Sequence, residues 1–186
     1  MTKARKWTEE EKQWMTDNLS YVPETGDLIW KEVASSVNNV IRATGTVAGS
    51  LGNGYMMIQN YSNGKQYNYR AHRIVWFINY GEVPNILDHI NGNRADNRLE
   101  NLRPTTTALN LRNQKPRKNS RSKYKGVYIN NYRIYRSMIT LNSKQIYIAV
   151  SKTEKEAAQK YDKWVEENLT PLEREYAKTN KELGLL

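Results

Sequence analysis

The chain has 186 residues, a formal net charge of +10 and no cysteine, with a mean hydropathy of −0.85. Disulfides and thiolate zinc sites are therefore excluded, and no apolar run approaches the roughly 20 residues of a membrane span. The charged start is not followed by the apolar stretch of a secretory signal, so the expectation is a soluble, intracellular protein of two small modules joined by polar segments.

In chain order, residues 8–19 read as a short helix, with Thr8 as N-cap and Glu11 three residues later completing a capping box. Trp7, Trp14, Met15 and Leu19 would form its buried edge. Residues 21–70 carry strand and turn signals: a Pro23-Glu24-Thr25-Gly26 turn, alternation from Asp27 to Lys31, and the hairpin dipeptides Asn53-Gly54 and Asn63-Gly64. A small antiparallel sheet is expected there. Residues 72–80 form an apolar stretch ended by Gly81 and Pro84 and read as a buried helix. Residues 86–90 then read as a strand, Asn91-Gly92-Asn93 as a turn, and residues 99–103 as a second short strand. Pro104 with Thr105 to Thr107 starts a helix that runs toward Asn113.

The charge is concentrated: residues 114–152 hold ten basic residues and no acidic one. A uniformly positive segment of this length is the electrostatic footprint of a phosphate-backbone contact; a merely solubilising basic surface is the alternative. Its first part, 114–123, has the composition of an extended linker. Beyond it, 126–130, 133–141 and 144–150 read as a three-stranded meander with turns at Asn130-Asn131 and Asn142-Ser143. Thr153 and Glu156 read as a second capping box, opening a helix whose Ala157, Ala158, Tyr161, Trp164, Val165 and Leu169 recur at three- and four-residue intervals. Thr170, Pro171 and Glu173 open a last helix expected to end near Gly184.

Period-two alternation separates a sheet face of Val127, Ile129, Tyr135, Ile139, Leu141, Ile146 and Ile148 from one of Tyr128, Asn130, Arg136, Met138, Thr140, Gln145 and Tyr147. The first suits packing on the helix and the second suits DNA, whose base edges strands can read in the major groove.

The chemistry-bearing set is Asp88 and His89, then Asn101 and Asn110. Cutting a phosphodiester needs a base for water and a hard cation for the developing charge. His89 would act through an unprotonated Nε2, with the Asn101 carbonyl holding the other ring nitrogen as donor without adding charge. Asp88 and Asn110 are oxygen ligands suited to Mg²⁺, with Mn²⁺ as the other candidate. Consecutive strand residues point to opposite faces, so sharing a site would need a strand end or a bulge at Asp88-His89. From spacing alone, the other reading is a satisfied polar cluster.

The stretch Asp88-His89-Ile90-Asn91-Gly92-Asn93, with Asp96-Asn97-Arg98, Asn101-Leu102-Arg103, Asn110 and Asn113, closely resembles the HNH homing endonucleases of phages and introns. The turn at 21–26 and His72-Arg73 extend the similarity over roughly residues 19–113. The resemblance implies a ββα-metal motif holding one divalent cation through Asp88 and Asn110, with His89 as general base and Asn101 as its orienter. It leaves His72 either facing the site or structural. Residues 123–169 are similar to the AP2/ERF DNA-binding domain through Tyr124-Lys125-Gly126-Val127, the strand 135–141 and Glu156-Ala157-Ala158-Gln159-Lys160-Tyr161-Asp162. They depart from it at Ala149, at Ser151 and in lacking several base-reading arginines.

The resulting expectation is an α+β protein. Residues 1–113 form an HNH module, 114–123 a basic linker, 124–169 an AP2/ERF-like module and 170–186 a closing helix. The function is metal-dependent cleavage of double-stranded DNA, nicking by default, by a monomer or a dimer. Phosphate contacts are expected from Arg73, Arg94, Arg98, Arg103, Lys115, Arg117, Lys118, Arg121, Lys123 and Lys125, beside the sheet residues named above. A DNA-binding regulator with an inert HNH portion is the alternative from another class, and RNA binding, suggested by 13 tyrosines beside basic residues, is a third.

Overall fold

The computed structural model describes residues 5–31, 43–62, 64–116, 119–141 and 144–186. Arg117, Lys118, Asn63 and the Asn142-Ser143 turn lie outside the described residues. The chain divides into two compact units, Met1–Thr105 and Thr106–Leu186.

In the first unit, α1 (Glu9–Asn18) starts at the expected capping box: the Thr8 hydroxyl accepts the Glu11 N–H, and the Glu11 carboxylate accepts the Thr8 N–H at 2.8 Å. That carboxylate also accepts the Tyr69 hydroxyl at 2.6 Å and pairs with Arg5, so one buried glutamate ties the helix start to the sheet. Leu19 opens β1 (Leu19–Val22), which pairs with β2 (Asp27–Trp30) across the 23–26 turn. β3 (Ser50–Gly52), β4 (Tyr55–Ser62) and β5 (Lys65–Arg70) form an antiparallel meander in the order β3-β4-β5. Asn53 and Gly54 both hold positive φ, 52° and 80°, as a two-residue hairpin turn requires.

β5 runs directly into α2 (Ala71–Tyr80), which Gly81 ends in the left-handed conformation. Ile74 and Val75 of α2 pack with Met15, Leu19, Leu28 and Ile58 in a fully buried core. That core backs a short hairpin of β6 (Leu87–His89) and β7 (Leu102–Pro104), whose Leu87 and Leu102 belong to the same cluster. The strand expected over 99–103 is in fact a 3₁₀ turn, Leu99–Asn101, followed by β7. The Asn101 carbonyl accepts the Ile90 N–H at 2.8 Å, beyond the ladder's last pair, His89↔Leu102.

The second unit opens with α3 (Thr107–Asn113), capped by Thr106. β8 (Val127–Ile129), β9 (Tyr135–Leu141) and β10 (Lys144–Ser151) form the expected antiparallel meander, ordered β10-β9-β8. α4 (Glu154–Asn168) lays Ala157, Ala158, Tyr161 and Val165 on its inner face. The strict alternation expected of β10 is broken by a register shift between Tyr147 and Ala149, after which Val150 pairs with Arg136 and stands on the outer face. A bulge of this kind inserts one residue and turns the following side chains over. The second capping box is only half formed: Thr153 accepts the Glu156 N–H, while Glu156 accepts the Lys152 N–H instead.

The last helix, expected to reach Gly184, stops early as α5 (Pro171–Tyr176). The reason is the buried Asp162 carboxylate, which accepts the N–H groups of Asn180 and Lys181 and the Asn180 side-chain amide at 2.7, 3.0 and 2.8 Å. Those bonds hold the chain in a turn that a continuing helix would destroy. Gly126 has φ +72°, and a Cβ there would lie 2.0 Å from the Tyr161 ring. Gly126→Ala is therefore expected to destabilise the second unit by roughly 2–4 kcal/mol, from overpacking plus a left-handed alanine. Urea unfolding of the variant checks this, and an unshifted midpoint would contradict the packing.

Candidate functional site

The β6–β7 hairpin carries the predicted pair at its end. Asp88 and His89 are both buried, at 7% and 4% exposure, and as neighbours on a strand they reach different partners. Asp88 faces its cross-strand partner Arg103, which donates to its Oδ2 from Nε at 3.3 Å and Nη2 at 3.2 Å. His89, the last residue of β6, packs edge-on against His72 of α2, with ring centroids 4.9 Å apart, and lies 6.1 Å from the Tyr55 ring of β4.

The loop between the strands is built almost wholly by its own amides and carboxylates. The His89 carbonyl accepts the Gly92 N–H at 2.9 Å, Asn91 Oδ1 accepts the Asn93 N–H at 2.7 Å, and Asn93 Oδ1 accepts the Ala95 N–H at 3.1 Å. Asp96 receives Arg98 through Nε and Nη2, at 2.9 and 2.8 Å, and the Asn91 side chain at 2.8 Å. The Arg98 guanidinium, foremost among these, holds the Asp96 carboxyl down at about 2. Asn101 closes the loop: its Oδ1 accepts the Asn91 N–H at 2.9 Å and its Nδ2 donates to the Asp96 carbonyl at 2.8 Å.

These bonds present a residue that sequence reasoning passed over. Asn97 is buried, and its Oδ1 lies 3.3 Å from His89 Nε2. An amide oxygen at this distance suits an Nε2 that carries the hydrogen. The side-chain bonds of Asn101 act on the loop that holds Asn97. The β1–β2 turn braces the same place: Tyr21 Oη accepts the Leu99 N–H at 3.0 Å. A Cβ on Gly26 (φ +80°) would lie 2.5 Å from the Arg98 backbone nitrogen. In the sequence Asn97 stood only within the Asp96-Asn97-Arg98 part of the family resemblance, with nothing to set it apart from the loop's other asparagines.

Burial lowers the His89 pKa below the ordinary histidine value, opposed by the Asn97 contact and then by the carboxylates of Asp88 and Asp96. The imidazole is thus neutral at pH 7 and can accept a proton. His72 is buried as well, and its Nδ1 has no hydrogen-bond partner. Burial, followed by the proximity of His89, Arg73 and Arg70, pushes its pKa down to about 2. It therefore packs against His89 without adding charge.

The expected phosphate contacts divide by partner. Arg98 is paired with Asp96 and Glu100, and Arg103 with Asp88, while Arg73 donates to the Pro84 carbonyl at 3.1 Å. Arg94 is exposed, with its guanidinium 5.1 Å from the Tyr55 ring. In the second unit, Lys115, Arg121 and Lys123 are exposed, although Arg121 donates to Asn131 and Lys123 lies over the Tyr124 ring. Lys125 instead turns its ammonium inward, where it has no hydrogen-bond partner and burial lowers its pKa to about 8. On the outer sheet face Tyr128, Arg136, Thr140, Gln145 and Tyr147 are exposed and Met138 half-buried. Asn130 spends its Oδ1 on the Tyr132 and Ile134 N–H groups, shaping the β8–β9 turn.

Among the described residues, no cluster of three or more His, Cys, Asp or Glu could hold a metal ion. Asp88 offers carboxylate oxygen with one of its oxygens already on Arg103. That donor chemistry fits a hard cation that retains waters and takes phosphate oxygens, and does not fit a full protein cage. Asn110 lies on α3, in the second unit.

Residues 69–112, from β5 through α3, match the family model described as HNH endonuclease. Comparison with curated proteins and with solved structures finds no match. The family match supports an HNH nuclease acting on DNA. Among the described residues no helix is long and apolar enough to cross a membrane.

The depressed His72 pKa has a signed consequence for stability. The unfolded chain protonates this histidine near 6.5 and the folded chain only near 2, so its stabilising contribution is complete above pH 6.5 and is lost as pH falls below it. His72→Gln is expected to flatten the pH dependence of unfolding free energy between about pH 3 and 6 by up to about 1.4 kcal/mol per pH unit. Urea titrations across that range measure the slope, and parallel slopes in both proteins would refute the assignment.

Proposed function

We propose that the chain is a divalent-metal-dependent endonuclease of the homing type that nicks duplex DNA, one strand per active site. The observation that carries the reading is the buried His89, held by Asn97 beside Asp88 in a loop braced by Asn101, within the stretch that matches the HNH family. Asn97 orients the His89 ring, which takes the proton from the attacking water. Asp88 and Asn110 would hold the cation, the pairing that the family resemblance implies, and Arg103 orients the Asp88 carboxylate. Such a cation, Mg²⁺ or Mn²⁺, would offset the charge developing on the phosphate and the leaving oxygen.

The second unit then serves as the duplex-binding module, in the manner that its resemblance to the AP2/ERF domain implies. Its outer sheet face supports this: Tyr128, Arg136, Thr140, Gln145 and Tyr147 stand exposed with no acidic residue among the strands. The bulge that turns Val150 outward adds an apolar contact to that face. Aromatic, amide and guanidinium groups on a pleated surface suit both base edges and phosphates.

His89→Ala is expected to reduce plasmid nicking by at least ~10² while leaving duplex affinity nearly unchanged, and chelation of divalent cations to abolish nicking in the native protein. Agarose assays of supercoiled plasmid, run beside gel shifts, read both. Undiminished nicking by the variant would end the assignment, whereas binding without any cleavage in Mg²⁺ or Mn²⁺ would favour a DNA-binding regulator. Arg136→Ala combined with Tyr147→Ala is expected to weaken duplex binding at least ~10-fold, since each interaction with a base or phosphate is worth roughly 1–3 kcal/mol. Unaltered affinity would remove the sheet face from the interface.

A further inference from the structure

Tyr55 stands at the centre of an arrangement that the reaction scheme above leaves unused. The Arg70 guanidinium lies 4.5 Å from the centroid of its ring and that of Arg94 lies 5.1 Å away. The same ring is 5.4 Å from His72 and 6.1 Å from His89. We propose that Tyr55, Arg70 and Arg94 form a two-guanidinium site for a single backbone phosphate of the duplex, seated beside His89. This rests on the reading of the chain as a nuclease acting on DNA.

Three observations point to an anion. Three other arginines of this unit have acidic partners, Arg5 with Glu11, Arg98 with Asp96 and Glu100, and Arg103 with Asp88, while Arg73 donates to the Pro84 carbonyl. Arg70 and Arg94 are both exposed, and both lie over the Tyr55 ring. The ring's quadrupole attracts each guanidinium without neutralising either, so both bring positive charge to the same ring. A phosphate whose oxygens reach both would offset that charge, and guanidinium forks match phosphate geometry.

Second, Arg70 is the N-cap of α2, a helix whose start has no side-chain cap and no acidic residue in its first turn. Cations at that end oppose the helix dipole, whereas an anion there would be favoured. Third, the Asn53-Gly54 turn brings β4 back with Tyr55 as its first residue, and a Cβ on Gly54 would already lie 3.9 Å from the Arg94 side chain. The turn thus places the ring and the second guanidinium together. Tyr55 acts as a positioning residue, aligning both arginines and flanking both imidazoles. A phosphate held there is anchored next to the base, which converts binding into orientation of the scissile linkage.

The test uses the full chain and a duplex of random sequence in the presence of a chelator, so that binding is read without cutting. The slope of log affinity against log salt falls by about 0.9 for each phosphate that the protein no longer neutralises. Arg70→Gln and Arg94→Gln are each expected to lower the slope by about that amount, and the double variant by no more than either alone, because the two share one phosphate. Tyr55→Leu is expected to reproduce the reduction and Tyr55→Phe, which keeps the ring, to restore the native slope. Single-turnover nicking in Mg²⁺ should fall at least ~10-fold in the same variants whose slope falls. Unchanged slopes, additive reductions in the double variant, or failure of Tyr55→Phe to rescue would overturn the site while native nicking persisted. Slope changes as described in a native protein that never nicks would instead support the phosphate site and remove the nuclease reading.

Discussion

The contact on which the site depends is the one between His89 Nε2 and Asn97 Oδ1. A hydrogen bond at one ring nitrogen sets the orientation of the imidazole, and here the partner comes from a loop rather than from a strand or helix. Loops hold position only through their own hydrogen bonds or through what packs on them. In this one nearly every polar side chain from Asn91 to Asn101 is committed: to Asx turns, to the Asp96–Arg98 fork, or to the bonds by which Asn101 clasps Asn91 and Asp96. The β1–β2 turn supports it from outside, through the Tyr21 hydroxyl and the bare backbone of Gly26.

Around that contact the protein arranges burial and charge to different ends. His72 and His89 are both buried and both kept neutral, but one has a polar partner in Asn97 and the other has an unpartnered nitrogen and a packing role. Asp88 pairs with Arg103 in the same hairpin. Beyond these, Arg70 and Arg94 concentrate positive charge about Tyr55. The net effect is a neutral imidazole bordered by cations, a combination that suits the proposed role of His89 at an anionic linkage. Each unit buries its own core, so neither depends on disulfides, of which a chain without cysteine has none.

Much of the first unit was legible residue by residue. Thr8 with Glu11, Asn53-Gly54 and the Gly81 stop are local signals, and local physics obeyed them. The pairing of Asp88 with Arg103 was not legible, because it follows from a cross-strand register set by a hairpin with a long connection between its strands. Nor was Asn97: the asparagines at 91, 93, 97, 101, 110 and 113 look alike in sequence, and only burial against His89 distinguishes it. The strand expected at 99–101 became a 3₁₀ turn because the Asn101 carbonyl and side chain both had to reach back across the loop.

The second unit shows the same division. Its meander, the α4 face and the start of α5 came from alternation, helical spacing and capping, each a property of a few adjacent residues. The bulge after Tyr147, the early end of α5 and the inward turn of Lys125 depend on distant groups: the strand opposite, the Asp162 carboxylate and the packing around Asn180. By itself the sequence determined which elements form and which residue types bear the chemistry, since propensity, patterning and caps act over a few residues. Only the tertiary structure decided which of several identical amides meets the histidine and which arginines keep a charge to offer, because hydrogen bonds and ion pairs are settled by proximity in space.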